Sequence, residues 1–462
     1  MQDAVTHDEI ADEESVFHLS DNEIRQIVEA VAAQDADTVH AFLSELGPAD
    51  TAELLAKVDA EDRNELLRMY GEMLDPETFT EMDAELRRAC IEALNPSEIA
   101  TIISGLESDD ALLLIETLDP SFQQEIIRKL SAKTRVALEE GLNFPEKSAG
   151  RLMQREVVAI PQFWTVGKTI DYLRAASHDL PEEFFDIFVI SPTYHIIGEV
   201  PLNKLVRAKR SDKVEDLAEE DDHQIPADMD QEEVAHIFRR ENLVSAPVVD
   251  ESGRLLGVIT IDDIIDVIDE EAQEDLMKMA GVDTGDLYRA VLSTTGARFR
   301  WLFVNLITAI AASAVISLFD ASIEQIVALA VLMPIVASMG GNAGTQALTV
   351  AVRALATREL SSTNALRIIW KESLVGALNG AAFAVITGIV AALWFHSPIL
   401  GIVIGISMII NLIAAGFCGA GIPILLSRMG SDPALSSTVF LTTVTDVIGF
   451  LAFLGLASLV LI

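Results

Sequence analysis

Five runs of mostly apolar residues crowd the C-terminal part of the chain, near 299–319, 325–352, 370–395, 399–426 and 434–461. Each is long enough for a helix of about twenty residues to cross a bilayer. Ahead of them the pattern changes. Residues 1–143 place apolar side chains at helical spacing, as in EIATIISGLESDDALLLIETL, and repeat one start signal at Gly47-Pro48, Asp75-Pro76, Asn95-Pro96 and Asp119-Pro120. A capping residue followed by proline at the first helical position marks a helix N-terminus, so this part reads as a helical array. Residues 144–268 contain a duplication, in which IIGEVPLNKLV at 196–206 stands 59 positions before LLGVITIDDII at 255–265. Each copy reads as helix, strand, tight turn, strand and helix. In the second copy a helix near Gln231 to Arg240 leads to SAPVVD, the turn ESGR and LLGVIT.

Charge follows the same division. The formal net charge is -40, yet from Phe299 onward six Lys or Arg balance six Asp or Glu, so the whole excess lies in residues 1–298. Such a surface repels nucleic acid and anionic lipid and attracts cations, and it equally suits solubility in a salty medium. Two cysteines, Cys90 and Cys418, exclude a disulfide framework. The opening segment MQDAVTHDEIADEESV has no basic region followed by an apolar stretch, so no cleavable signal peptide is expected. Arg353, Arg358, Arg367 and Lys371 lie between the second and third apolar runs and Arg428 between the fourth and fifth, while the other two connections hold no Lys or Arg. The positive-inside rule then puts the N-terminal part in the cytosol and the C-terminus outside.

Asp446 is the one ionised group deep in the last apolar run. A carboxylate there costs several kcal/mol to insert and persists when it faces a polar cavity or a partner, which marks a functional site; the alternative is a buried Asp bonded to Thr442, Thr443 or Thr445. The second run, MPIVASMGGNAGTQALTV, holds Pro334, the small residues Gly340, Gly341 and Gly344, and two amides, Asn342 and Gln346, four apart on one helical face. Small residues admit close approach and amides in hydrocarbon need an inward partner, so these residues read either as a helix contact or, together with Asp446, as the lining of a pore. Two such carboxylates related by a dimer axis would suit a divalent cation, and Mg2+, which keeps its waters, would bind through them.

A second acidic concentration precedes the first apolar run. Asp263 and Asp266 are three apart, and Glu271, Glu274 and Asp275 follow in DEEAQEDLMKMAGV, read as the next helical segment. Like charges at these spacings destabilise a helix by a few tenths of a kcal/mol per pair, a cost that a divalent cation relieves. A solvated acidic face is the plain alternative.

The duplicated region resembles a pair of CBS domains, with the motif best kept in Gly257, Thr260 and Asp263 of GVITIDD; in the first copy Pro201 and Lys204 stand at the corresponding places. The resemblance implies a possible adenine nucleotide at Thr260 and Asp263 of the second copy. Over essentially its whole length the chain resembles the MgtE family of magnesium channels, on PIVASMGGNAGTQ at 334–346, SDPA at 431–434 with TTVTD at 442–446, and VDESGRLLGVITIDD running into EEAQED.

That resemblance implies a multi-domain α+β protein with a polytopic α-helical membrane domain: an N-terminal helical domain at 1–143, a CBS pair at 144–268, a connecting plug helix at 269–297 and five transmembrane helices at 298–462. It implies a homodimeric Mg2+ channel of the cell membrane, not an enzyme, with Asp446 of both subunits at the ion site and Pro334, Gly340, Gly341, Asn342, Gly344 and Gln346 shaping the path. Cytosolic Mg2+ would close it by binding Asp230, Glu232, Asp263, Asp266, Glu271, Glu274, Asp275 and Asp432. Three departures from the family pattern stand out. The segment before Asp446 reads STVFLTT without Gly or Pro, Asn242 stands where Asp is usual, and the first CBS copy lacks the PVVD strand.

Two other classes remain at this stage. A transporter coupling Mg2+, Co2+ or Mn2+ to another ion through Asp446 is compatible with the residues, although such folds favour inverted repeats and GGNAGTQ occurs once. An intramembrane aspartyl hydrolase would need a second central carboxylate to share a proton.

Overall fold

The computed structural model describes residues 19–177, 180–181, 184–219, 223–282, 291–360 and 363–461, with the backbone alone at 434–437. The opening segment examined for a signal peptide and residues 283–290 of the expected connecting segment lie outside these. Internal packing divides the chain into two units, Met1–Glu271 and Ala272–Ile462.

The first unit opens with α1 (Asp21–Ala32), α2 (Ala36–Leu43), α3 (Pro48–Lys57), α4 (Ala60–Tyr70), α5 (Ala84–Glu92), α6 (Pro96–Ser104), α7 (Ser108–Glu116), α8 (Pro120–Ile127) and α9 (Ala132–Gly141). Three of the four proline signals open α3, α6 and α8, while Asp75-Pro76 opens a 3₁₀ turn, Pro76–Phe79. Helices this short are marginal alone. They are held by burying one face each, through Leu54, Leu55, Leu67, Phe79, Leu86, Ile103 and Ile115, at about 1.5–3 kcal/mol per large side chain. Arg87 of α5 is buried among them and donates to the carbonyls of Phe79 (2.9 Å), Met82 (2.8 Å) and Thr80 (3.1 Å), so its guanidinium is satisfied without a carboxylate.

After a one-turn helix, α10 (Ala149–Leu152), the duplication appears as two three-stranded sheets. The first copy runs β1 (Ala159–Pro161), α11 (Val166–Ala175), β2 (Asp186–Ile190), β3 (Ile196–Pro201), α12 (Leu202–Arg207). The second runs β4 (Ile225–Pro226), α13 (Gln231–Glu241), β5 (Ser245–Val249), β6 (Leu255–Thr260), leading into α14 (Ile261–Ala280). In each sheet the first strand pairs parallel with the second and the second antiparallel with the third, and both carry a bulge at the equivalent place, Val189/Ile190 and Val248/Val249. Positions 59 apart meet one another: Ser245 Oγ donates to Asp186 Oδ2 at 2.6 Å, and His195 bridges Arg254. Contacts between equivalent residues place the two copies about a local two-fold axis.

Two of the departures noted in the sequence resolve here. The first copy forms its strand without PVVD, because Ile187, Phe188 and Val189 of β2 are buried and supply an apolar set of their own. Asn242 caps α13 at φ 56°, ψ 45°, a left-handed conformation that Asn tolerates through its short polar side chain. The acidic segments expected to be separate form one unbroken helix, since α14 runs from Ile261 to Ala280. Nothing in IDDIIDVIDEEAQEDLMKMA interrupts it until Gly281, whose φ of 70° ends it.

The second unit holds five helices long and apolar enough to cross a membrane: α15 (Val291–Ser317), α17 (Ala328–Ala356), α18 (Ala365–Trp394), α19 (Pro398–Arg428) and α20 (Pro433–Leu461), with a short α16 (Asp320–Gln325) after the first. The first begins at Val291, ahead of the expected 298, because the helix continues back through STTGAR before its apolar run starts. The central helix is α19, lined by α17, α18 and α20, whereas α15 packs chiefly on α20. Close approach of α18 and α19 depends on absent side chains: a methyl at Gly388 would fall 2.9 Å from the Gly401 carbonyl. The outward face of α18 presents Leu378, Val385, Ile386, Ile389 and Leu393, with Trp370 and Trp394 exposed near its two ends. These tryptophans are about 36 Å apart along the axis at 1.5 Å per residue, which suits aromatic belts at two interfaces.

Phe238 is fully buried in the core of the second copy with Val234, Val248, Ile259 and Ile264. Phe238→Ala is expected to cost about 3–5 kcal/mol, measured as earlier thermal unfolding and faster proteolysis within residues 223–271. Unchanged unfolding would show that this core does not limit the unit's stability.

Candidate functional site

The fifth membrane helix presents buried positions at Leu441, Thr445 and Gly449, a spacing of four that fixes its inward face, and Asp446 lies one residue off this face, half-buried. The three neighbouring threonines bond within their own helix: Thr442 to the carbonyls of Thr438 and Val439, Thr443 to Val439, and Thr445 to Leu441 and Thr442. Among the described residues no hydrogen bond or ion pair reaches the Asp446 carboxylate. The alternative of an Asp held by its threonines is therefore set aside. Hydroxyls on a helix prefer the carbonyl one turn back, and here that is where they are spent.

The second membrane helix divides its motif between two faces, which corrects part of the expected lining. Gly340 and Gly344 are buried. A side chain at Gly340 would collide with the Asn411 amide, and one at Gly344 would sit 2.9 Å from Leu441, so both glycines serve close packing against α19 and α20. Pro334, Asn342 and Gln346 are exposed on the protomer and continue with Ser338, Thr345 and Thr349 as a polar stripe, while Gly341 is partly exposed with open space beside it. Asn342 Nδ2 reaches Ser338 Oγ at 3.5 Å. The contacts fix depth as well as face. Gly344 meets Leu441, and Gly340 and Gly449 close on the same Asn411, so the contacts that bracket Asn342 on one helix bracket Asp446 on the other.

The expected regulatory acids separate into three groups. Asp230 caps α13 by accepting from the backbone of Glu232 at 2.9 Å, and Glu232 lies exposed in the first turn. Glu271 accepts from Lys147 Nζ at 3.0 Å and from Gln231 Nε2 at 2.6 Å. Glu274 pairs with Lys278, and Lys278 also reaches Asp432 at 2.8 Å. Glu271, Glu274 and Asp432, expected as metal ligands, thus each have a lysine beside them in this structure. Burial opposes the Lys278 charge, but its bonds to Asp432 and Glu274 hold its pKa above the usual lysine value. Asp275 is half-buried in the same stretch.

Asp263 and Asp266 belong to a larger acidic surface. Within the first unit, Glu81, Glu107, Asp109 and Asp110 of the helical array interact electrostatically with Asp262, Asp263 and Asp266 at the start of α14, and Glu77 adds its charge to Glu81, Glu107 and Asp110. Burial, with the charges of Glu156, Asp110 and Asp262, pushes Glu107 up to about 7. Burial with Glu77 and Asp262, against Arg87, lifts Asp110 to about 6. Asp109 and Asp263 also stand well above ordinary carboxylates, through burial first and then through Asp263 and Asp262 respectively. The array acids were not singled out in the sequence, where they look like ordinary helix-start residues. Among the described residues no three His, Cys, Asp or Glu converge into a ready metal cage. A cation that keeps its waters needs only one or two carboxylates.

Thr260 Oγ1 donates to Asp263 Oδ2 at 3.0 Å. The cleft beside Thr260 is lined by Phe184, Phe185, Phe188 and Ser245 together with two carboxylates, Glu156 and Asp186, with no Lys or Arg among the described residues that line it.

Comparison with known proteins agrees with this architecture. Residues 333–456 match the family described as divalent cation transporter, 46–147 the MgtE intracellular N domain and 214–270 the CBS domain. The magnesium transporter MgtE of Thermus thermophilus is 36% identical over 324 residues, covering 69% of this chain and 71% of that protein. The chain belongs to the MgtE family. The MgtE of Bacillus subtilis is 34% identical over 319 residues, covering 69% of this chain and 70% of its own. Among solved structures, the soluble part of a magnesium transporter is similar at 25% identity and TM-score 0.47, covering 54% of this chain and 98% of that one. The cytosolic domain of the Mg2+ channel MgtE in complex with ATP is similar at 28% identity and TM-score 0.48, covering 53% and 99%. As a member of the MgtE family with a CBS pair and, among the described residues, five helices long and apolar enough to cross a membrane, this chain is a membrane protein of magnesium transport.

The raised acids set a pH dependence. A carboxylate whose folded pKa lies above its unfolded value contributes stability that is complete below the unfolded pKa and is lost as pH rises through the folded one. With Glu107 at about 7 and Asp110 at about 6, the metal-stripped protein is expected to resist heat and protease better at pH 5.5 than at pH 8. Millimolar Mg2+ should close most of that gap. A flat or opposite profile between these values would show that the acids do not meet in the folded protein.

Proposed function

We propose that this protein is a Mg2+-selective channel of the cell membrane that works as a homodimer and is closed by Mg2+ on its cytosolic side. The observation that carries this reading is Asp446, a carboxylate at membrane depth with no hydrogen-bond or ion-pair partner among the described residues, level with the polar stripe of Asn342. Burying an unpaired charge is too costly to persist. A two-fold axis beside α17 and α20 would bring two Asp446 carboxylates to one water-filled passage, where a hydrated Mg2+ neutralises both. Pro334, Gly341, Asn342 and Gln346 face the same passage. The N-terminal unit and the basic loops lie in the cytosol and the C-terminus outside.

Closure follows from α14. One end of this helix carries Asp262, Asp263 and Asp266 among the array acids, where Mg2+ replaces mutual repulsion with shared attraction. The other end fastens to the membrane helices within the second unit. Met279 packs with Leu348, Val352, Leu441, Cys418 and Ile422, Thr438 Oγ1 donates to the Met279 carbonyl at 3.1 Å, and Lys278 pairs with Asp432. Metal at the acidic end favours the closed state by its differential affinity for the two arrangements, and several weak sites acting together make the response steep.

In liposomes, Asp446→Asn and Asp446→Ala are expected to lose selective Mg2+ flux by about tenfold or more while remaining folded dimers; full selectivity in Asp446→Ala would remove the pore assignment. Neutralising Asp110, Asp263 and Asp266 together should leave flux at low Mg2+ intact and weaken inhibition by cytosolic Mg2+. Lys278→Met should shift the inhibitory midpoint by about two- to fivefold, the scale of a partly exposed ion pair. The charge-swapped pair Lys278→Glu with Asp432→Lys should restore it. A midpoint unmoved in Lys278→Met would assign closure to the apolar Met279 contacts alone.

A further inference from the structure

Asn411 sits at the middle of α19 and has no exposed surface. Its Nδ2 donates to the backbone carbonyl of Val336 on α17 at 2.8 Å, a side-chain hydrogen bond joining two membrane helices. Its Oδ1 meets no donor among the described residues. Two glycines on two different helices are shaped around this amide. A side chain at Gly340 of α17 would collide with it, and a methyl at Gly449 of α20 would fall 2.8 Å from its nitrogen. An amide buried in hydrocarbon with an unsatisfied oxygen is costly to keep, and the polar groups that persist inside membranes are the ones that function. Leucine would fill the same space at no such cost.

The position of this amide gives it a task. Asn411 touches the two helices of the ion pathway at the depth at which Asn342 and Asp446 stand, and the register of α17 against α20 sets how the Asp446 carboxylate meets its ion. We propose that Asn411 is a positioning residue for ion selection: by gripping the Val336 carbonyl between Gly340 and Gly449, it fixes the second and fifth membrane helices at the spacing a hydrated Mg2+ requires. A hydrate is recognised by distance, since Mg2+ holds its waters in near-ideal octahedral geometry, so a slack register costs discrimination before it costs conduction. This inference rests on the reading of Asp446 as the ion site.

The test is uptake of Mg2+, Ca2+ and Co2+ into liposomes by the full-length protein bearing Asn411→Leu, Gly340→Ala, Gly449→Ala or Gly421→Ala, beside Asp446→Asn. Gly421 lies on the same helix as Asn411 with open space around it and serves as the control. Asn411→Leu is expected to fold, to raise the apparent KM for Mg2+ by about three- to fifteenfold, the range transmitted by a membrane hydrogen bond, and to lower Mg2+/Ca2+ and Mg2+/Co2+ discrimination with little change in maximal rate. Gly340→Ala and Gly449→Ala should reproduce that pattern, and Gly421→Ala should match the parent.

A uniform fall in maximal rate for every ion, with discrimination and KM kept, would reduce Asn411 to packing and overturn the proposal, as would a parent-like Asn411→Leu. Should Asn411→Leu fail to fold, Gly340→Ala and Gly449→Ala, which move the amide without removing it, carry the same comparison. If Asp446→Asn itself keeps full selectivity, the ion-site reading fails; if it loses selectivity while the Asn411 and glycine variants keep it, only the present inference fails.

Discussion

The structure turns on the hydration energy of one carboxylate. Asp446 cannot remain ionised in hydrocarbon unless water or a cation reaches it, and the neighbouring threonines offer it nothing, because Thr442, Thr443 and Thr445 spend their hydroxyls on carbonyls one turn back. The rest of the membrane unit is arranged around that demand. Glycines at 340, 344 and 449 bring α17 and α20 close enough to hold the acid at a defined depth, and on the proposed reading the polar stripe through Ser338, Asn342 and Thr345 lines the same passage.

The same electrostatic logic runs in reverse in the first unit. There, acids are gathered rather than isolated, and partial burial at the meeting of the helical array with α14 amplifies their repulsion, since lowered dielectric strengthens every pair. On the proposed reading, protonation or bound Mg2+ favours this arrangement, and the number and burial of the carboxylates set where the balance lies. The lysine at 278 shows the other solution to the same problem, a tethered cation fixed between Glu274 and Asp432.

Much of this was legible in the sequence because it depends on local pattern. The five apolar runs, the proline-marked helix starts and the 59-residue duplication all became elements, since each rests on spacing within a single segment. Residues defined by a neighbour from elsewhere in the chain were not legible. Asn411 is one amide in GIVIGISMIINLIAAGF, and the rarity argument that picked out Asp446 applies to it equally, but its partner carbonyl and its two glycines lie on other helices. Gly340 and Gly344 looked like pore lining because a missing side chain reads the same whether an ion or a helix fills the space. The lysines beside Glu271, Glu274 and Asp432 were hidden in the sequence, because 147 and 278 lie far off in the chain or lone in an acidic run. Glu107, Asp109 and Asp110 passed as helix-start residues, and only folding set them against Asp263.

The absence of any break in α14 between Ile261 and Ala280 makes helical phase a control parameter. Each residue of an α-helix turns its successor by about 100° and advances it by about 1.5 Å, so the face on which each charged residue of this helix falls is set by the count of residues. A single inserted or deleted residue in this rod would keep every charge and every apolar contact group, yet rotate one end out of step with the other. If the acids of α14 regulate transport as proposed, the residue count of that segment belongs to the device as much as the acids do.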